Sequence, residues 1–184
     1  MRIKRIALPI SEKDIRSLKC GDSVLLTGSM LTARDASHKR ITEALAAGID
    51  LPFDPDGQTI YYTGPTPARP GHIVGSAGPT TSSRMDKYTP LLLKHGLKCM
   101  IGKGRRSAAV KKRMLKSHAV YLAAVGGAGA LLSRSIKKIE PVAYPELGAE
   151  AVYRLEVEDF PAVVINDIYG GDLYDSGQAA HRRA

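Results

Sequence analysis

GSAGPTTSSRMD, residues 75–86, is the stretch of the chain that says most about its organisation. Its glycines and proline predict a turn that lets the backbone approach a ligand closely. Four hydroxyl side chains, Thr80, Thr81, Ser82 and Ser83, come before Arg84. Ser83 and Asp86 have the spacing of a helix-capping pair, so we expect a helix to begin here. Backbone N–H groups, hydroxyls and a guanidinium at a helix start would bind a small anion, and the alternative is an ordinary loop with a capped helix.

Four segments share this design, because each leaves a predicted strand, passes glycine and enters a helix. They are residues 27–34, 75–84, 102–107 and 125–130. This alternation predicts an α/β fold with a parallel sheet flanked by helices, and extended segments toward both ends of the chain predict a second, more antiparallel sheet.

The loops that follow parallel strands gather at one edge of a sheet, where ligands usually bind. We therefore expect Arg34, Arg84 and Lys103 to converge on one pocket. Two or three fixed cations suit a dicarboxylate, because arginine can bind a carboxylate through two parallel hydrogen bonds and lysine acts as a point charge.

A second capping pair, Thr32 and Asp35, predicts a helix that runs to about residue 47. Arg34 and His38 are four residues apart and would share one face of this helix. His38 is therefore a candidate acid or base, and the alternative is a histidine that serves packing and hydrogen bonding.

Further boundaries follow from composition and periodicity. We expect extended strands, one domain and a flexible tail: strands at 72–77, 152–157 and 162–167, a single domain over 1–176, and the tail at 177–184.

Composition limits the classes of function. The chain has 184 residues and a net charge of +9, which suits nucleic acid, an acidic substrate or an acidic partner. Trp is absent and no basic run alternates with aromatic residues, so we expect no nucleic-acid partner. No apolar run approaches the roughly 18 residues of a membrane helix, and the apolar N-terminal run is too short for a signal peptide, so we expect a cytoplasmic protein.

Cys20 and Cys99 are too few for a disulfide framework or a protein-held metal cluster. No dinucleotide-binding or P-loop glycine motif is present.

Taken together, several segments resemble the class I fumarase family. The match is to its β subunit, equivalent to the C-terminal domain of the single-chain enzymes, and it extends over nearly the whole chain. The segments are TARDASHKR at 32–40, GPTTSSRMD at 78–86, GKGRRS at 102–107, GGAGA at 126–130, YPELG at 144–148 and VEDFP at 157–161. L-tartrate dehydratase β subunits share the architecture, and RMD at 84–86 with Arg106 and Ser107 is more similar to fumarase.

The resemblance implies the swivelling β/β/α three-layer fold and the reversible hydration of fumarate to (S)-malate. It implies a four-iron iron–sulfur cluster that is bound by a partner α subunit and not by this chain. We therefore expect a hetero-oligomer with two α and two β subunits, and a homodimer of the isolated chain is an alternative.

The resemblance also implies residue roles. Arg34, Arg84 and Lys103 would bind the substrate carboxylates, with Thr80, Thr81, Ser82 and Ser83 at the same end. Thr80 would take part in proton transfer together with an aspartate of the partner, and His38 is the other candidate for the acid or base. Other functions that fit the sequence are the β subunit of L-tartrate dehydratase, a stand-alone anion- or RNA-binding module, and a scaffold for the α subunit.

Overall fold

A computed structural model describes residues 3–181 of the chain, which form seven strands and six α-helices. In chain order these elements are β1 Lys4–Leu8, α1 Glu12–Ser17, β2 Ser23–Thr32, α2 Asp35–Ala46, β3 Thr59–Tyr61, α3 Thr89–Lys94, β4 Cys99–Gly102, α4 Ala108–Ser117, β5 Val120–Ala123, α5 Gly129–Leu132, β6 Ile136–Ala143, β7 Val152–Asn166 and α6 Leu173–His181. Single 3₁₀ segments lie at Ser82–Met85, Ser133–Ser135 and Pro145–Glu150.

The strands form one sheet in the order β1-β2-β3-β4-β5-β7-β6. Because β2 also pairs with β7, the five strands β2, β3, β4, β5 and β7 close into a barrel. Strands β1 to β5 pair in parallel, whereas β7 runs antiparallel to β2, β5 and β6. The predicted parallel and antiparallel parts are both present, but they belong to one continuous sheet and not to two separate sheets.

Both faces of the central strands are buried, which is typical of parallel strands. Along β4 and β5, Ile101 and Leu122 belong to one hydrophobic cluster, and Met100 and Tyr121 belong to another. The second cluster contains residues of α2, α3 and α4. This packing fixes the carboxyl ends of the parallel strands, from which the predicted site loops emerge.

The predicted capping box of Thr32 and Asp35 is wrong. β2 continues through Thr32, whose hydroxyl accepts the Tyr153 N–H at 3.0 Å. Ser37 instead accepts the N–H of Arg34 at 2.8 Å at the start of α2. The Thr32 hydroxyl thus forms a tertiary hydrogen bond to β7 and does not form the α2 cap that the local pattern predicts.

The predicted α-helix start at Ser83 is also wrong. Ser82–Met85 is a 3₁₀ turn, and α3 begins only at Thr89. Asp86 accepts hydrogen bonds from Arg106 Nε at 2.8 Å and from the Ser107 N–H at 2.6 Å. Asp86 therefore serves the start of α4 and not a helix at Ser83.

Three further expectations differ from the structure. Residues 72–77 form a loop and not a strand. The two strands expected at 152–167 are the single strand β7, in which a bulge opposite Thr27 accommodates Asp159 at a φ of 49°. Residues 177–181 continue α6, and residues 182–184 of the expected tail lie outside the described residues.

Within residues 3–181, no helix combines the length and the apolar character that a membrane span requires.

Candidate functional site

Arg34 lies between the end of β2 and the start of α2. Its Nη2 is 3.7 Å from Asp35 Oδ2 and 3.5 Å from Glu150 Oε1. Both distances exceed those of ordinary hydrogen bonds, and its Nε has no partner among the described residues. The guanidinium of Arg34 is therefore held by charge while its N–H donors are not saturated.

Arg84 approaches the same carboxylate from the 3₁₀ turn, 49 residues further along the chain. Its Nε donates to Asp35 Oδ1 at 2.9 Å, and its Nη2 lies 2.7 Å from Asp35 Oδ2. The Arg84 side chain is 50% exposed. The structure thus brings Arg34 and Arg84 together around Asp35.

The segment with Thr80 and Thr81 extends the parallel pairing beyond the end of β4. The Thr80 N–H donates to the Tyr62 carbonyl at 2.6 Å, and the Lys103 N–H donates to the Thr80 carbonyl at 3.3 Å. Thr81 and Lys103 form an isolated parallel bridge. This backbone pairing places Lys103 beside the hydroxyl run that leads to Arg84.

The Lys103 side chain extends toward the loop after β5, where a Cβ at Gly126 would lie 3.9 Å from Lys103 Nζ. Within residues 3–181, Lys103 forms no ion pair. Its charge is therefore not neutralised by a carboxylate of the described chain.

The four hydroxyls do not share one environment. Thr81 and Ser83 are exposed and Thr80 is half-buried. Ser82 is fully buried, and its Oγ lies 2.8 Å from the Tyr121 hydroxyl, which in turn donates to the Gly104 carbonyl. Ser82 thus stabilises the loop through a buried hydrogen bond, whereas Thr80, Thr81 and Ser83 are exposed or half-buried.

His38 is fully buried on α2, one turn beyond Arg34. Its Nδ1 lies 2.8 Å from the Arg34 carbonyl, so the neutral ring donates a hydrogen bond there, and its Nε2 has no partner among the described residues. The pKa of His38 is lowered to about 4, mainly by burial and also by the charge of Arg106, while the hydrogen bond to the Arg34 carbonyl and the charge of Asp35 oppose this shift. His38 is therefore neutral at physiological pH.

The sequence analysis assigns no role in the site to Arg106, Asp35 or Glu150. The side chain of Arg106 is 0% exposed and pairs with Asp86. Its Nη1 and Nη2 donate to Tyr62 Oη at 3.2 Å and Thr89 Oγ1 at 2.7 Å. Arg106 lies in the basic segment of residues 103–113, where its place between GKG and the α4 cap Ser107 separates it from its neighbours.

The described residues contain no group of three or more histidine, cysteine or acidic side chains that could hold a metal ion. Cys20 is half-buried near the start of β2, and Cys99 is fully buried in β4. Burial raises the pKa of both thiols. These residues do not fit the ligand set of an iron–sulfur cluster, which binds several thiolates.

A cleft of about 660 Å³ lies apart from these groups. The 66–76 loop, the start of α5 and β6 line it, and neither Arg34, Arg84, Thr80 nor Lys103 does. The predicted site residues thus lie outside this cleft.

The chain is thus an α/β domain with a mixed sheet closed into a barrel, and arginines and hydroxyls lie on the loops that follow its parallel strands. The model of one family, Fumarase C-terminus, matches residues 1–177. The chain belongs to this family.

Named relatives fall into two groups. The chain is 44% identical to the anaerobic class I fumarate hydratase of Escherichia coli K12 over 151 residues, which are 81% of this chain and 28% of that protein. It is 42% identical to fumarate hydratase 2 of Leishmania major, again over 28% of that protein. It is 39% identical to a putative L(+)-tartrate dehydratase subunit beta of Methanocaldococcus jannaschii, over 90% of this chain and 88% of that subunit. The chain therefore spans under a third of the fumarate hydratases and most of the β subunit.

Proposed function

We propose that this chain is the β subunit of an iron–sulfur hydro-lyase that reversibly hydrates fumarate to (S)-malate. The observation that carries the proposal is that the guanidiniums of Arg34 and Arg84 meet at one carboxylate although they belong to separate loops. The N–H donors of these guanidiniums that Asp35 leaves unpaired can bind a substrate carboxylate. The relatives named fumarate hydratase supply the identity of the diacid.

The cations would act on the charge that the reaction creates. Removal of the C3 proton of malate puts negative charge on the adjacent carboxylate, so cations that face it stabilise the transition state more than the ground state. Arg34, Arg84 and Lys103 supply these cations. Thr81 and Ser83 offer exposed hydroxyls at the same end, and Ser82 supports them through Tyr121.

Thr80 is the better candidate for proton transfer. Its side chain is half-buried at the edge of the cation group, whereas His38 is enclosed and neutral. A threonine hydroxyl is a poor base alone, so we assign the step to Thr80 acting with a partner aspartate. If His38 is the acid or base instead, it has to become accessible in the assembled enzyme.

The cluster belongs to the partner in this proposal. The two cysteines of this chain cannot supply three thiolates, so a separate α subunit would hold the four-iron cluster, in a hetero-oligomer with two copies of each subunit. In that family the cluster supplies a Lewis-acidic iron for the substrate hydroxyl and carboxylate. The mixed barrel and its helices would correspond to the swivelling β/β/α fold.

The second candidate is the β subunit of L-tartrate dehydratase. The observation that favours it is the Methanocaldococcus relative, a β subunit of which the chain covers 88%. Tartrate carries one more hydroxyl than malate, so its site needs one more hydrogen-bond partner.

Co-expression with a cluster-bearing α subunit of an iron–sulfur hydro-lyase tests the proposal. We expect the purified pair to consume fumarate and (S)-malate, and turnover of tartrate alone would select the second candidate. Salt-sensitive RNA binding by the chain alone, without hydro-lyase activity in the pair, would support a nucleic-acid module instead. Full hydro-lyase activity of a pair that carries both Arg34→Ala and Arg84→Ala would indicate that the chain serves only as a scaffold for the α subunit.

A further inference from the structure

Two carboxylates stand against the arginines of the proposed site, and the mechanism above does not use them. Asp35 contacts Arg84 through both of its oxygens and lies 3.7 Å from Arg34 Nη2. Glu150 Oε1 lies 3.5 Å from the same Nη2, and its Oε2 accepts the Ala36 N–H at 2.8 Å. Charges therefore alternate in a row from Arg84 through Asp35 and Arg34 to Glu150.

Both carboxylates are themselves held in place. Asp35 is the first residue of α2, where a negative charge is favoured by the helix dipole. Glu150 ends the 3₁₀ segment before β7 and reaches the same helix start through the Ala36 N–H. Arg84 is less constrained, since its side chain is 50% exposed and its guanidinium pairs only with Asp35 within residues 3–181.

We propose that Asp35 is a positioning residue, which holds the Arg84 guanidinium in the orientation that receives a substrate carboxylate, and that Glu150 does the same for Arg34. This inference rests on the proposed function. An exposed arginine carries a large rotamer entropy, so a fixed partner lowers the cost of ordering it when substrate binds. Asp35 acts through Arg84 and does not itself contact the substrate.

The direction in which KM changes when Asp35 is replaced by asparagine distinguishes a positioning role from a simple effect of net charge. Replacing Asp35 by asparagine removes one negative charge beside an anionic substrate. If net charge controlled binding, the variant would bind the diacid more tightly and its KM would fall. If Asp35 orients Arg84, the variant loses substrate affinity although its charge has become more favourable.

The test is Asp35→Asn in the reconstituted two-subunit enzyme, assayed on fumarate. We expect kcat/KM to fall about tenfold or more, with most of the change in KM, while the urea midpoint stays near wild type. Asp35→Glu keeps the charge and should recover part of the loss. Glu43→Gln is the matched control, because Glu43 is an exposed carboxylate on the same helix that pairs with Lys39.

A double-mutant cycle with Arg84→Ala makes the test specific. If Asp35 acts through Arg84, Asp35→Asn has no further effect on kcat/KM in the Arg84→Ala background. Additive losses in the double variant would overturn the inference, as would an unchanged kcat/KM or a lower KM in Asp35→Asn alone. In each of these cases, turnover of fumarate by the wild-type pair would leave the proposed function intact. Absence of turnover in the wild-type pair contradicts the proposed function itself.

Discussion

Arg84 and Arg106 each donate from Nε to an aspartate, at 2.9 and 2.8 Å, yet the two pairs differ in what surrounds them. The side chain of Arg106 is 0% exposed, and its other nitrogens donate to Tyr62 and Thr89. Arg84 is half-exposed and contacts only Asp35 within the described residues. An arginine whose donors are all satisfied inside the fold stabilises the fold, whereas one with spare donors at the surface can bind a ligand.

The largest effect on stability is expected for Arg106→Ala. The substitution leaves Asp86 with 14% exposure and without its cation, and it leaves the hydroxyls of Tyr62 and Thr89 without this donor. Breaking such a buried pair costs about 3–5 kcal/mol. Urea unfolding measures this loss.

Arg105→Ala is the control, because Arg105 is the adjacent residue and its guanidinium pairs with Asp175 at the surface. Its unfolding midpoint should stay near wild type. Equal losses for the two variants would show that burial does not distinguish these arginines.

His38 is linked to both arginine regions, because its ring hydrogen-bonds to the Arg34 carbonyl and the charge of Arg106 lowers its pKa. The unfolded chain takes up the proton near the ordinary His pKa of about 6.5, whereas the folded chain does so only at about 4. The unfolded state therefore binds more protons within this window, and stability falls as the pH drops from about 6.5 to about 4, by about 3 kcal/mol in all.

His38→Asn, compared with wild type by urea unfolding across this pH range, should lack that part of the slope. The difference between the two profiles isolates His38 from carboxylates that titrate in the same window. Parallel profiles would mean that His38 is not enclosed as a neutral ring.

In contrast to Arg106→Ala, Arg84→Ala should change the free energy of unfolding little and lower kcat/KM strongly. Loss of one cation that faces developing charge costs about 100-fold in kcat/KM, equal to about 3 kcal/mol. Steady-state assays of the reconstituted pair measure it. Arg40→Ala, a surface arginine of α2 that pairs with Glu146, should retain wild-type kinetics, and a similar loss there would indicate a general charge effect.

Gly64→Ala is the mildest change and disturbs Arg34 without touching Arg106. A Cβ at Gly64 would lie 2.9 Å from Arg34 Nη1 and 3.0 Å from the Ala149 carbonyl oxygen, so the guanidinium has to move. We expect kcat/KM to fall about tenfold, as small displacements of positioning groups do. Gly177→Ala, at a position without a positive φ and with no atoms within 4 Å of an added Cβ, controls for the loss of a glycine. Unaltered kinetics of Gly64→Ala would argue against a role of Arg34 in binding.

The sequence predicts which loops meet better than it predicts the local elements around them. The meeting of Arg34 and Arg84 follows from a topological rule, because loops after parallel strands share an edge. At the start of α1, Ser11 accepts the Asp14 N–H at 3.1 Å in a capping pair for which no distant residue competes. The other two capping pairs fail because Thr32 and Asp86 bond to Tyr153 and to Arg106 and Ser107, which are far away in the sequence.

Other features have no local signal. Closure of the barrel depends on β7, whose 15 residues reach β6, β2 and β5 in turn. Spacing along the chain does not predict the contact of Asp35 with Arg84. Adjacent residues on a helix do not face each other, so a pattern that places Arg34 in the site would place Asp35 elsewhere. Burial of Arg106 depends on Tyr62, Thr89 and Asp86, which surround it only after folding.

A crystal structure of the reconstituted two-subunit enzyme with bound (S)-malate tests most directly whether Arg34 and Arg84 form the diacid site. We predict that both guanidiniums lie within hydrogen-bonding distance of malate carboxylates, with Thr80 and Lys103 beside them and the cluster contributed by the α subunit. Malate bound in the cleft that Arg69 and Arg134 line, with Arg34 and Arg84 still paired only with Asp35 and Glu150, would contradict it.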